Sequence, residues 1–376
     1  MKRSAVLIVD PRGNISLGGK DVINRHLDYA KVLFSKSKKA KIVVFTTSNQ
    51  GNVIFRSKFM DRFILSKPTF NPIIFSWRAY RCIRREKIEI SLIVAGDPWE
   101  SFWTGFLLAK LMRRNTPIQM QIHGDIADPL WRKINWRNKV RFYLARYSCS
   151  KATSIRAVGH NQKSNLIKSF KLSSSKIAVI PVPISLKLLI SKKPKNAQRP
   201  KSIALIGRIH EDRGIWSFID LVNKLNRVSQ DFDVIIIGSG QAESEFLTKI
   251  KNIIPRQRLK TLGQLSQDSL ANMWNKIGVL VSLAPVESYG RAIREAFVAG
   301  VPVWVSKSSG ALDLISVANS KGIKLLDLSH SDNALLKEFE SLLVVKSDYK
   351  LRLKLVEENN GLSILLVNSW LKLIKH

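Results

Sequence analysis

The sequence predicts two doubly wound α/β domains, and three observations predict them. Short β-branched runs alternate with amphipathic stretches of helical length, the rhythm of βαβ units around a mostly parallel sheet. The chain has 376 residues, more than one ordinary core organises, so two domains of roughly 150–200 residues follow. The alternation breaks once, at "KLLISKKPKNAQRP" (187–200), whose lysines, prolines and asparagine read as a linker.

The first series of strands comprises "AVLIVD" (5–10), "KIVVFTT" (41–47), "ISLIVAGD" (90–97), "IQMQIHGD" (118–125), "SIRAVG" (154–159) and "KIAVIPVP" (176–183). The opening "MKRSAVLIVDPRG" has five apolar residues before Asp10. A secretory signal needs about 7–15, so this segment is the first strand. The second series comprises "SIALIGR" (202–208), "FDVIIIGSG" (232–240), "LKTLGQ" (259–264), "VLVSLAP" (279–285) and "VPVWVS" (301–306). The expected boundaries are an N-terminal domain over 1–185, a linker over 186–200 and a C-terminal domain over 201–355. A last helix over 356–376 should return to the first domain. No run approaches the ~18 apolar residues of a spanning helix, so a cytoplasmic, soluble or peripheral protein is expected. Cys82 and Cys149 lie far apart without metal-ligand spacing and read as reduced thiols.

Charge is distributed unevenly. The net charge is +34, and residues 1–200 hold 39 Lys/Arg against 10 Asp/Glu, a balance of +29 that leaves +5 for the rest. One half is built to meet something anionic, with nucleic acid and an anionic membrane as the two candidates. Apolar content of 45% excludes a disordered chain.

In open parallel sheets, ligands bind beyond the carboxyl ends of the strands. Those ends carry Gly207 and Arg208, Gly238-Ser239-Gly240, His123-Gly124-Asp125, and the approach to Glu287. In "SLAPVESYGRAIREAFVAGVPVWV" (282–305), Pro285 ends a strand and a helix is expected from about Ser288–Gly290. Its free N–H groups suit a phosphate or a sugar hydroxyl. Glu287 stands at that mouth and Glu295 lies one to two turns further on. Were both helical, about 12 Å of axis would separate them, against about 5–9.5 Å between the carboxyl groups of a glycosidase. Two grips on one elongated ligand fit better than a hydrolytic pair. The plainer alternative is an amphipathic core helix with solvated glutamates.

The stretch resembles the Glu-x7-Glu segment of retaining glycosyltransferases of family 4, the group 1 glycosyltransferases. "IALIGRIHEDRGIWSFIDLVNKL" is similar to their strand-Gly-Arg-loop-[Lys/Arg]-Gly-helix block, and "DVIIIGSGQAESEFLTKI" to their strand-Gly-x-Gly block. "SLGGKDVINRHLDYAKVL" resembles their early glycine loop, and "IQMQIHGD" their strand ending in His-Gly. The resemblance covers most of residues 1–315. It implies the GT-B fold, two facing doubly wound Rossmann-like domains with an interdomain cleft. It also implies transfer of a sugar from a nucleotide-diphosphate sugar to a saccharide acceptor with retained anomeric configuration.

Site roles follow from the resemblance. Arg208, and Arg213 where lysine is more usual, would hold the donor diphosphate, which suits the bidentate guanidinium fork. Glu287, with the backbone at Ser288, Tyr289 and Gly290, would bind the transferred sugar, and Glu295 the ribose. Gly18, Gly19, Gly207, Gly238 and Gly240 would admit the donor to the backbone, and His123 would face the sugar. Glu287, His123, Arg208 and Arg213 are thus the expected catalytic group. Two departures stand out: "VIPVPISL" lacks an Asn-Gly common there, and "SKSSGALDL" puts Ser309-Gly310 and Asp313 where Gly-Gly and glutamate are usual.

No metal is expected. Asp231-x-Asp233 has a metal-binding spacing but precedes its strand, and arginines with a helix N-terminus can neutralise the leaving diphosphate. No cofactor is implied beyond the nucleotide sugar, a co-substrate. For the acceptor, "SWRAYRCIRREK" (76–87) and "PLWRKINWRNKVRFYLARYSCSK" (129–151) mix Arg/Lys with Trp131, Trp136, Phe142 and Tyr143. That is a membrane-surface pattern. A lipid-linked saccharide at the inner face of the cell membrane is expected, in polysaccharide or lipopolysaccharide synthesis. The competing readings are a basic nucleic-acid-binding protein, which leaves both glutamates unexplained and lacks any reader motif, and a nucleotide-sugar epimerase, which the Glu-x7-Glu pattern disfavours.

Overall fold

A computed structural model describes residues 4–17, 19–49, 53–190 and 199–374. The chain divides into two compact units, Met1–Pro183 with Gly361–His376, and Ile184–Asn360.

The first unit holds β1 (Ser4–Asp10), β2 (Ala40–Thr46), β3 (Ile54–Arg56), β4 (Met60–Ile64), β5 (Glu89–Ala95), β6 (Ile118–Ile122), β7 (Ser154–Ala157) and β8 (Ile177–Val179). They form one sheet in the order β3-β4-β2-β1-β5-β6-β7-β8, parallel except for the β3–β4 edge hairpin. β1 shows why its sequence is almost wholly apolar. Leu7 and Val9 enter one core with Phe45, Phe63 and Ile93. Val6 and Ile8 enter another with Tyr29, Leu33 and Trp370. A strand buried on both faces has no polar side to alternate with.

The second unit holds β9 (Ser202–Ile206), β10 (Asp233–Ile237), β11 (Leu259–Thr261), β12 (Val279–Ser282), β13 (Val303–Val305) and β14 (Ile323–Leu325). Their order is β11-β10-β9-β12-β13-β14, all parallel. Counted within the unit this is 3-2-1-4-5-6, the dinucleotide-binding order, and it reverses between β9 and β12.

Several elements depart from expectation. β3, β4 and β14 were not foreseen: "IFR" and "IKL" are three residues long, and "MDRFI" carries two charges. β8 stops at Val179, well before Pro183. The segment read as linker from residue 186 opens with a short helix, Lys187–Ile190, and Leu186 and Leu189 are buried in the second unit's core. Residues 191–198 of that segment lie outside the described residues.

The last helix is longer than 356–376, running Tyr349–Ile374. Its first part belongs to the second unit, where Asn359 caps both backbone groups of Ile184, accepting from its N–H at 3.0 Å and donating to its carbonyl at 2.7 Å. Its last part belongs to the first unit. There Trp370, fully buried, donates Nε1–H to Gln119 Oε1 at 2.7 Å.

Candidate active site

The reversal of strand order between β9 and β12 leaves a crevice at their carboxyl ends, because the connections leave toward opposite faces. A cavity of about 210 Å³ lies there, lined by Ile206, Gly207, Arg208, Arg213, Ser282, Ala284, Glu287, Gly290 and Arg291 among others. Five residues singled out from sequence therefore meet around one space: Gly207, Arg208, Arg213, Glu287 and Gly290.

Each is placed by a local cause. Gly207 has φ 139° with nothing near the position of a Cβ, so it presents bare backbone where β9 ends. Arg208 is 62% exposed, 3.6 Å from Asp212. Arg213 closes a short turn, Glu211–Arg213, that His210 caps by accepting from the Asp212 N–H. The following Gly214 has φ 68°, and a Cβ there would sit 2.0 Å from the Leu283 carbonyl oxygen. Only glycine lets the turn press against the end of β12. Arg213 Nη1 then donates to Glu287 Oε2 at 2.6 Å.

The loop bearing Glu287 is pinned from below. Gly310 N–H donates to the Glu287 carbonyl at 2.7 Å, and a Cβ on Gly310 would fall 2.6 Å from Tyr289 backbone carbon. Arg294 is buried, donates to the Gly310 carbonyl at 3.3 Å, and lies 3.9 Å over the Tyr289 ring. Burial lowers the Arg294 pKa, opposed by Tyr289, Asp313 and Glu287. Asp313, the departure noted above, therefore helps to compensate a buried guanidinium.

The helix after the loop runs Arg291–Ala299, one residue later than the latest expected start, because Gly290 is its N-cap at φ 69°. Gly290, Arg291, Ala292 and Ile293 line the cavity, so the unsatisfied N–H groups of the first turn border it. Glu287 is not helical, so the 12 Å helical spacing does not describe the pair. Glu295 lies in the second turn, 3.8 Å from Arg291 and 14% exposed. Burial raises its pKa and Arg291 opposes the rise. It does not line the cavity.

The other expected residues have other settings. A Cβ on Gly238 would meet the Gly207 carbonyl oxygen at 1.8 Å, and one on Gly240 the Ile209 carbonyl oxygen at 2.2 Å. These two glycines let the ends of β9 and β10 pack, and neither lines the cavity. Ser288 is buried and the Tyr289 ring is covered by the Arg294 guanidinium, and neither lines the cavity. Asp231 and Asp233 pair with Lys201 and Lys260.

In the first unit, Gly19 begins the helix Gly19–Lys36 at φ 71° with open space around it. Gly18 lies outside the described residues. His123 follows β6, and Gln162 clamps both sides of it, donating to the carbonyls of Ile122 at 3.2 Å and Gly124 at 2.8 Å. The surrounding protein, then Arg156, Arg25 and His26, lowers the His123 pKa. The residue itself is exposed, and the direction of the shift favours a neutral imidazole.

Sequence reasoning missed Arg291, Arg294 and Gln162, and also Asp10, Arg12, Asp97 and Glu100 at the reversal of the first sheet between β1 and β5. Asp10 accepts from Asn14 N–H, Ile15 N–H and Thr46 Oγ1, and Arg12 pairs with Glu100. Two strands ending in aspartate, "AVLIVD" and "ISLIVAGD", were the available signal.

Comparison with known proteins decides the family. Residues 187–359 match the model described as glycosyl transferases group 1, and residues 37–188 match that of glycosyltransferase family 4. The chain belongs to the group 1, family 4 glycosyltransferases. Among solved structures, this glycosyltransferase is similar to sucrose-phosphate synthase from Thermosynechococcus elongatus at TM-score 0.74 and 17% identity, covering 99% of this chain and 100% of that one. It is similar to Anabaena HepE in complex with UDP at 0.69 and 17%, covering 99% and 100%. A lipopolysaccharide outer core galactosyltransferase, WaaB, matches at 0.67 and 15%, covering 96% and 99%. At such identities these likenesses show the fold alone, two parallel-sheet α/β domains of the GT-B class. No curated protein matches the glycosyltransferase sequence.

Proposed function

We propose that this glycosyltransferase moves a sugar from a nucleotide-diphosphate sugar to a lipid-linked saccharide, with retention of anomeric configuration and without a metal. One observation carries the donor reading. Arg208, Arg213, the bare backbone of Gly207 and the N-terminus of helix 291–299 border one cavity at the strand reversal. Guanidinium groups and helix N–H groups aimed at one place stabilise the charge that grows on a leaving diphosphate.

The Arg213–Glu287 ion pair gives the step a switch-like character. With no donor bound, Glu287 neutralises Arg213. A diphosphate would take the guanidinium, freeing the carboxylate to accept hydrogen bonds from the transferred sugar. Neutral His123 is assigned to a sugar hydroxyl, Gly19 to approach of the diphosphate, and Glu295 to the ribose. Retention rests on the family resemblance. Metal independence rests on the guanidinium and helix-end charge, and no cofactor beyond the nucleotide sugar is required.

The acceptor reading rests on the +29 balance of residues 1–200 and the basic, aromatic helices of the first unit. No helix among the described residues is long and apolar enough to cross a membrane. A peripheral enzyme at the cytoplasmic face of the cell membrane, serving polysaccharide or lipopolysaccharide synthesis, fits this charge. The WaaB match supports it only by analogy.

Thermal unfolding with UDP, GDP and ADP, free and as their sugars, tests the donor reading. One nucleotide should stabilise the protein clearly, and UDP comes first because the HepE neighbour is described with UDP and UDP-glucose. Stabilisation by none of them, or undiminished stabilisation in Arg208→Ala, overturns it.

A further inference from the structure

The helix Pro72–Glu86 of the first unit is amphipathic in an unusual sense. Its inner face is ordinary: Phe75, Ser76, Ala79, Cys82 and Ile83 are buried. Its outer face changes character along its length. Toward the N-terminus it exposes Ile73 (67%), Ile74 (47%) and Trp77 (53%), with Phe70 (73%) just ahead. Positions 70, 73, 74 and 77 follow the i, i+3, i+4, i+7 spacing that normally faces a core. Toward the C-terminus the same outward face carries Arg78, Arg81, Arg84 and Arg85.

Those arginines are under-compensated. Glu86 is shared between Arg56 at 2.6 Å and Arg85 at 3.0 Å. Among the described residues no carboxylate pairs with Arg78, Arg81 or Arg84. Arg78, Arg81 and Arg85 line a cavity of about 690 Å³ whose opposite wall includes Ile54 and Phe63. That size suits a headgroup with part of its apolar body, and adjacent guanidinium forks suit its phosphate.

We propose that this helix docks on an anionic lipid bilayer. Phe70, Ile73, Ile74 and Trp77 enter the acyl boundary, and Arg78, Arg81 and Arg85 hold lipid phosphate. Charge complementarity selects this occupant. A protein partner for such an apolar stripe needs no row of uncompensated guanidinium groups beside it, whereas an interfacial helix uses both together. A soluble polyanion would account for the arginines but leave the four exposed apolar side chains unused. The inference refines the peripheral-enzyme reading above by naming the surface, and it is independent of the donor site.

Co-sedimentation with phosphatidylcholine vesicles, with and without phosphatidylglycerol, tests it. Wild type should bind the anionic vesicles, less strongly as salt rises. Arg78→Gln/Arg81→Gln should weaken that binding on the order of 30-fold and flatten its salt dependence. Ile73→Ser/Trp77→Ser should weaken it on the order of tenfold and keep the salt dependence. Both pairs are exposed, so thermal unfolding and stabilisation by nucleotide should match wild type. A control pair on the other basic, aromatic helix, Trp136–Lys151, Trp136→Ser/Tyr147→Ser, should weaken binding less than either of these pairs does.

Undiminished vesicle binding in the helix 72–86 variants, with loss in the control pair, overturns the proposal and leaves the peripheral reading standing. Failure of wild type to bind overturns both. Binding to a soluble polyanion that the arginine pair abolishes and the apolar pair leaves intact, with no vesicle binding, assigns the arginines to that ligand and overturns the lipid. None of these outcomes touches the nucleotide result, so failure of the donor reading remains separately visible.

Discussion

Arg213 and Glu287 form the pair on which the donor site turns. The 2.6 Å contact joins two partly exposed side chains, so it contributes little to stability, and its value lies in holding both groups at the cavity. Arg213→Ala should therefore weaken nucleotide binding about tenfold or more, as for a lost charged hydrogen bond, while barely moving the unfolding temperature; isothermal titration against the stabilising nucleotide checks this. Glu295 behaves in the opposite way. Burial raises its pKa, so the folded state favours its protonated form. The associated stability is present below the unfolded-state value and is lost as pH rises through the raised folded-state value. Glu295→Gln should flatten that loss in a pH series of thermal melts, and should weaken nucleotide binding if the carboxylate holds the ribose. The thiols make a third case: burial pushes Cys82 up to about 11 and Cys149 up to about 12. Neither should react with iodoacetamide at neutral pH in the native state, and both should after denaturation. At this scale the sequence yielded Gly207, Arg208, Arg213 and Glu287, because each follows directly on a recognisable strand or turn. Arg294 and Gln162 escaped because their partners, Gly310 and Gly124, are distant in sequence and no local pattern marks them.

Among elements, the strand-to-helix loop 285–290 is fixed by glycines whose roles differ. Gly290 takes φ 69° and would place a Cβ 2.5 Å from Ile293, so it sets the helix start. Gly310 makes room for Tyr289 while its N–H holds the Glu287 carbonyl. Gly310→Ala should cost about 1–3 kcal/mol through the displaced loop and lower nucleotide affinity as well, because the moved backbone carries Glu287. Gly278→Ala, at the amino end of β12 where a Cβ would meet the Pro200 carbonyl oxygen at 2.1 Å, should cost at least as much, since backbone meets backbone there, yet leave affinity in the surviving folded protein closer to normal. Comparing melts with titrations for the two variants checks this separation. Periodicity located most strands of both sheets, because buried parallel strands read as short apolar runs. It missed β3, β4 and β14, where brevity or charge breaks the run. It could not distinguish Gly238 from Gly207, since a glycine at a strand end reads alike whether it admits a ligand or a neighbouring strand.

For the whole molecule, the legible features were the number of domains and their class, since the break near residue 190 and the asymmetry of charge are properties of long windows. The strand orders were not legible, because order is set by pairing between distant segments. The final helix was under-read for a similar reason: nothing local shows that Tyr349–Asn360 serves one unit and Gly361–Ile374 the other. Trp370 is fully buried in the first unit, and replacing it with alanine should cost about 3–5 kcal/mol. The loss should fall on that unit. Hydrogen exchange should show faster opening of β1, β5 and β6, while β9, β10 and β12 keep their protection.

The separation of 251 positions between Gln119 and Trp370 also bears on biosynthesis. A ribosome completes all eight strands of the first sheet long before it makes the tryptophan that seals their far side. Until then the core on that side, to which Tyr29 and Leu33 already contribute, lacks Leu366, Val367 and Trp370 and stays partly open to solvent. Nascent chains that have exposed residues through Asn360 but not the rest of the final helix should therefore remain protease-sensitive in β1–β8 after the second unit has already become resistant, and they are the species on which chaperones would be expected to linger.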